Sequence, residues 1–83
     1  MTEKERIARN SYQVGRVYAV MKLTEGVQDE DVITLAGKIL MDALFIANAN
    51  GYSEADKPTS EWRDGYNSVV DELRALGLDC ERK

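Results

Sequence analysis

The sequence predicts an all-α protein: a small three-helix bundle with short loops, built as a single helical domain over residues 1–83. Three observations lead there. Apolar side chains recur at steps of three and four in segments near 3–25, 30–50 and 60–76, the spacing that lines one side of a helix. Gly26, Gly51 with Pro58, and Gly77 punctuate the ends of those segments, where helices commonly stop. No alternating strand pattern or internal repeat competes, and 83 residues are too few to divide into two independent cores. Short connections of this kind favour antiparallel neighbours.

The first helix opens at Thr2, whose hydroxyl suits an N-cap with Glu5 three residues on, the spacing of a capping box. It is expected to run to about Glu25 and stop at Gly26. Ile7, Val14, Tyr18 and Met21 fall on one stripe, widened by Val17, and are the expected core positions. Arg9, Tyr12, Arg16, Val20 and Leu23 occupy the other side, which is too apolar to be purely solvated. The second helix begins at Asp29, Glu30 and Asp31, carboxylates that cap backbone N–H groups and suit the positive end of the helix dipole. Ending at Asn50 and Gly51, it is apolar over most of its circumference, with a narrow polar stripe of Thr34, Lys38 and Asp42. Such a helix is expected to lie centrally in its bundle or against a second chain.

Residues 51–59 read as the linker, with Ser53 and Asp56 able to cap a single turn within it. The third helix starts near Thr59 or Ser60. Its Trp62, Tyr66, Val69, Leu73 and Leu76 make the cleanest amphipathic stripe in the chain, and Gly77 with Leu78 fits a Schellman C-cap. Gly15 and Gly65 lie inside helices, where glycine costs about 1 kcal/mol relative to alanine. Each is therefore expected to lie under a close helix or partner.

Charge is unevenly divided. Residues 1–23 hold five basic and two acidic side chains; residues 24–83 hold six basic and thirteen acidic, for a net charge of −4. This bears on steering and partner choice rather than on fold, and the net acidity argues against binding free nucleic acid. With no histidine and a single cysteine, Cys80, the usual zinc ligand sets and an internal disulfide are excluded. The adjacent Asp29, Glu30 and Asp31 lack calcium-loop spacing, and no phosphate-cradling glycine motif is present. No constellation nominates a general acid, base or nucleophile, so the chain is read as non-catalytic, without cofactor or metal. A charged N-terminus without an apolar stretch points to a reduced, cytoplasmic protein. Val32–Ala49, interrupted by Lys38 and Asp42, is read as too short and too charged to span a bilayer, and so as a buried helix rather than a membrane span.

Two surfaces stand out. Arg6, Arg9, Tyr12, Arg16 and Val20 form a candidate partner-binding face, since arginine and tyrosine are enriched at binding hot spots. Glu61, Asp64, Asp71 and Glu72 lie opposite the Trp62 stripe, either as a solvated face or as an acidic docking surface that stands in for a line of phosphates.

Tyr12, Val14, Gly15, Arg16, Val17, Tyr18, Ala19, Val20 and Met21 resemble a run near the small-subunit-like end of the large subunit of type I-C CRISPR surveillance complexes. The match covers about ten residues, and the chain departs from that family after Leu23. Glu61 to Val70, with its Trp-x-x-Gly-Tyr-Asn core, resembles helix starts of small phage and prophage proteins. These resemblances imply a small phage-type inhibitor of a host or defence complex, an anti-CRISPR among them. Two other readings stay open: an accessory helical subunit that holds a nucleic-acid backbone through Arg6, Arg9 and Arg16, and a homodimerising structural domain. The apolar excess of the first two helices favours a homodimer.

Overall fold

In a computed structural model of the chain, which describes residues 2–51 and 59–83, three helices form a small all-α bundle: α1 (Glu3–Leu23), α2 (Glu30–Ala49) and α3 (Ser60–Ala75). The turn expected on Ser53 and Asp56 lies outside the described residues. No strand occurs among those described.

The helix ends follow the local chemistry of the sequence. The Thr2 hydroxyl accepts from the Glu5 N–H at 3.1 Å, and one Asp29 carboxylate oxygen accepts from the N–H groups of Asp31 and Val32 at 2.9 and 3.1 Å. Thr59 caps α3 by accepting from the Glu61 N–H. Each cap satisfies donors that the first turn of a helix leaves without a carbonyl partner. Gly26, Gly51 and Gly77 all adopt φ between +74° and +91°, the left-handed conformation that glycine takes without steric cost. At Gly77 the bonds Leu78 N–H to Leu73 C=O and Gly77 N–H to Arg74 C=O complete a Schellman motif, and Leu78 folds back onto the core. α1 ends slightly earlier than its glycine suggests, at Leu23, because Thr24 caps it and bonds back to the Val20 carbonyl.

α1, not α2, is the middle helix. It packs closely against both α2 and α3, whereas the backbones of those two stay farther apart and meet through side chains of the shared core. Arg6 near the start of α1 donates to the Gly51 carbonyl just past the end of α2, so α1 and α2 run antiparallel. The starts of α1 and α3 lie side by side. Of the two places expected for α2, the central one is thus not taken: its inward side is Val32, Ala36, Ile39, Ala43 and Ala47, and its larger apolar residues face out.

The contact between α1 and α3 explains two interior glycines. A Cβ at Gly15 would collide with the Trp62 carbonyl, whose carbon lies 2.9 Å from that position. A Cβ at Gly65 would collide with the Tyr12 carbonyl, with the Tyr12 Cα at 3.2 Å. Backbone therefore lies directly on backbone in both directions, a separation that only glycine permits. This close approach reassigns the faces of α1. Its buried residues are Asn10, Ser11, Gly15, Ala19 and Val20, whereas Met21 and Tyr18 of the expected core stripe are 66% and 42% exposed. Closely spaced helices select small side chains at the seam, and a stripe drawn through the large apolar residues misses them.

α3 keeps most of its expected stripe. Tyr66, Val69 and Leu73 are buried together with Val70, and Trp62 packs partly against them. Leu76 is exposed, because it is the C-cap and the chain turns away at Gly77; Leu78 fills the inward position instead. The segment after Leu78 returns along α3. The buried Asn67 side chain accepts from the Lys83 N–H at 2.7 Å and donates to the Lys83 carbonyl at 3.2 Å, while Arg74 holds the Cys80 carbonyl at 2.7 Å.

Candidate functional site

The five residues of the candidate partner-binding face do not share one exposed surface. Val20 is a core residue, 4% exposed and packed with Ala19, Val32 and Leu73. Arg16 points into the α1–α3 seam. Its guanidinium donates to the Ser68 hydroxyl at 2.6 Å and pairs with the Glu72 carboxylate at 3.2 Å. Ser68 passes the bond on to the Gly65 carbonyl at 2.7 Å, so Arg16 ties directly to the turn of α3 that carries the close glycine contact. Arg6 pairs with Glu3 at 2.7 Å and bonds the Gly51 carbonyl at 2.9 Å. Tyr12 is half-buried, with its backbone over Gly65. Arg9 alone of the five is exposed.

The acidic row is similarly divided. Glu72 is held by Arg16, Asp71 pairs with Arg82, and Glu61 accepts from the Thr59 hydroxyl at the start of α3. The Thr59 hydroxyl bond is the largest influence holding the Glu61 carboxyl below its usual pKa, followed by the helix-start N–H. Asp64 stands exposed on the outer side. Three of the four carboxylates thus serve contacts within the chain rather than a continuous acidic surface.

An aromatic cluster links α1 to α3. Tyr18 lies 5.3 Å from Trp62 and 6.1 Å from Tyr66, ring centre to ring centre, and Trp62 stacks on Tyr66 at 5.7 Å. The Lys83 ammonium covers it, 5.1 Å from the Tyr66 ring and 5.9 Å from the Trp62 ring, within cation–π range. Burial raises the pKa of the Tyr66 hydroxyl. Burial likewise raises that of the Cys80 thiol, which sits under the returning tail near the Val70 carbonyl; such a thiol remains protonated at neutral pH and is a poor nucleophile.

An open groove of 510 Å³ lies between the starts of α1 and α3, walled by Glu3, Lys4, Ile7 and Ala8 on one side and Thr59, Ser60 and Glu61 on the other. Among the described residues, no group of three or more metal-ligating side chains converges there or elsewhere.

Among the described residues, the outer face of α2 gathers most of the exposed large apolar side chains, the outward side of the helix whose apolar excess the sequence shows. Met41 and Phe45 are 74% and 76% exposed, flanked by the half-exposed Ile33 and Leu44. These four, with Gly37, fall on one strip at helical spacing, and a Cβ at Gly37 would meet nothing within 4 Å. Lys38 and Asp42 run along one edge of the strip. By length and composition alone, α2 is long and apolar enough to cross a membrane. Length is therefore no obstacle to spanning, contrary to the expectation from sequence. Lys38, Asp42 and the packing of its Ala-rich side on α1 are what distinguish it from a simple span. Contiguous exposed apolar area on this scale commonly marks an interaction surface.

The comparisons add no relative: no family, no curated protein and no solved structure matches this chain.

Proposed function

We propose that this protein is a non-catalytic protein-binding module, a small phage-type inhibitor of a host or defence complex such as a CRISPR surveillance complex. The observation that carries the binding reading is the strip of Ile33, Met41, Leu44 and Phe45 on α2, which stands exposed among the described residues. Phenylalanine and methionine are enriched at protein interfaces relative to the rest of the surface. The inhibitor class is supported by the resemblances of residues 12–21 and 61–70. Since Gly15 and Arg16 of the first run are engaged with α3, the docking surface is assigned to α2 and not to the arginine face. The alternative of a nucleic-acid-binding subunit loses support for the same reason, because Arg6 and Arg16 already face carboxylates of this chain. In this reading the protein acts in the host cytoplasm on a protein partner, without membrane, cofactor or free nucleic acid.

Expression of the chain in bacteria that carry an active type I CRISPR complex tests the reading. Plaquing by a targeted phage is expected to rise with the wild-type protein and to fall back with Phe45→Glu, whose helical circular dichroism remains intact. Plaquing that stays restricted despite soluble wild-type protein overturns the inhibitor reading.

A further inference from the structure

We propose that the outer face of α2 is occupied by a second copy of this chain, laid antiparallel about a two-fold axis so that Met41 of each copy sits over Gly37 of the other. This rests on the reading of that face as a protein-binding surface and names what covers it in the free protein; a target that docks there displaces the second copy.

Gly37 is the first observation. It lies within α2, where glycine weakens a helix, yet packing among the described residues gives no reason for it, since a Cβ there would meet nothing of theirs within 4 Å. The other two glycines inside helix contacts, Gly15 and Gly65, each lie beneath a neighbouring backbone. Gly37 leaves a matching hollow one turn from Met41, the second most exposed of the large apolar side chains. In an antiparallel pair each Met41 enters the hollow of the other copy, and each Phe45 comes level with the other copy's Ile33. Large meets small on both sides of the axis, which is the self-complementarity that a two-fold interface demands.

Charge selects the direction. In an antiparallel two-fold pair the Lys38–Asp42 edge meets its own copy in reverse order, so each Lys38 approaches the other Asp42. A parallel pair, related by an axis along the helices, would put the two Lys38–Asp42 edges on opposite sides of the contact and leave them without each other. It would also bring together the two sets of Asp29, Glu30 and Asp31; the antiparallel arrangement holds them about 27 Å apart, well beyond the Debye length at physiological salt. Two strips of this length bury on the order of 1,000 Å² in total, the lower end for a specific interface. A dimer with a Kd of about 1–100 μM is the expectation.

Sedimentation equilibrium of the full chain between about 1 μM and 1 mM, spanning that range, is the test. Wild type is expected to reach twice its 9.3 kDa mass within that range. Gly37→Leu fills open space in the single chain, so its thermal stability when dilute holds or rises, while association weakens at least tenfold. Lys38→Glu and Asp42→Lys are each expected to weaken association several-fold, and the double variant to restore it. A single-chain mass at 1 mM, association indifferent to Gly37→Leu, or a double variant no better than the single ones overturns the proposal. Flotation of the chain with neutral phosphatidylcholine vesicles, abolished by Phe45→Glu, overturns it in favour of a membrane occupant. A monomer that still raises plaquing sinks the dimer and leaves the inhibitor reading standing; a dimer that fails to raise plaquing does the reverse.

Discussion

The α1–α3 seam and the outer face of α2 each hold an interior glycine among larger side chains, yet the two regions are opposites. At the seam, Gly15 and Gly65 let backbone rest on backbone, and the neighbouring Arg16–Ser68–Gly65 chain of hydrogen bonds fixes the approach. On α2, Gly37 looks onto open space beside Met41 and Phe45. The same residue type carries the same helix-propensity penalty in both places, and among the described residues a contact offsets it at the seam and none does at Gly37. The difference teaches that a glycine inside a helix announces a close neighbour without saying whether that neighbour belongs to the same chain.

The sharpest way to break the comparison is to add side-chain bulk at the seam. Gly15→Val or Gly65→Val is expected to abolish cooperative thermal unfolding, because the opposing group is a carbonyl of a packed helix and cannot swing aside. Retention of a wild-type melting curve by either variant would mean that the helices separate freely. Next in size is Leu73→Ala, which empties a fully buried site between the helices and is expected to destabilise by about 2–5 kcal/mol in urea titration. Phe45→Ala, measured on dilute protein, supplies its counterpart on α2 and is expected to stay within about 0.5 kcal/mol of wild type, as substitutions at exposed positions do.

Gly37→Ala has the opposite sign. With nothing to collide against, the alanine is expected to stabilise the dilute chain by about 0.5–1 kcal/mol. A loss of stability would show that the α2 face is covered within the single chain. The smallest effect concerns pH at the start of α3. Because the Thr59 hydroxyl holds the folded-state pKa of Glu61 low, the stabilisation is present above the carboxyl's unfolded pKa and is lost as pH falls through the folded one. Thr59→Ala is expected to flatten that acid limb in a series of melting curves taken below neutral pH; an unchanged slope would remove Glu61 as its source.

What the sequence by itself determined is local. The number of helices, their caps at Thr2, Asp29 and Thr59, and the Schellman turn at Gly77 all depend on groups within a few residues of one another, so spacing and residue type suffice to read them. The need for close neighbours over Gly15 and Gly65 was legible for the same reason, since a helix-breaking residue inside a helix asks for compensation. The inward stripe of α3 was legible in the same way, whereas tertiary structure alone decided which sides of α1 and α2 face inward. In α1 the seam selected Ser11, Gly15 and Ala19 over the more hydrophobic Tyr18 and Met21, because the distance between two backbones, and not transfer free energy alone, determines what fits between them. It also decided the fate of the charges: Arg16 finds Ser68 and Glu72 more than fifty residues away, a pairing that no local pattern encodes and that removes it from the free surface. The same geometry, by making α1 central, turned the apolar excess of α2 outward.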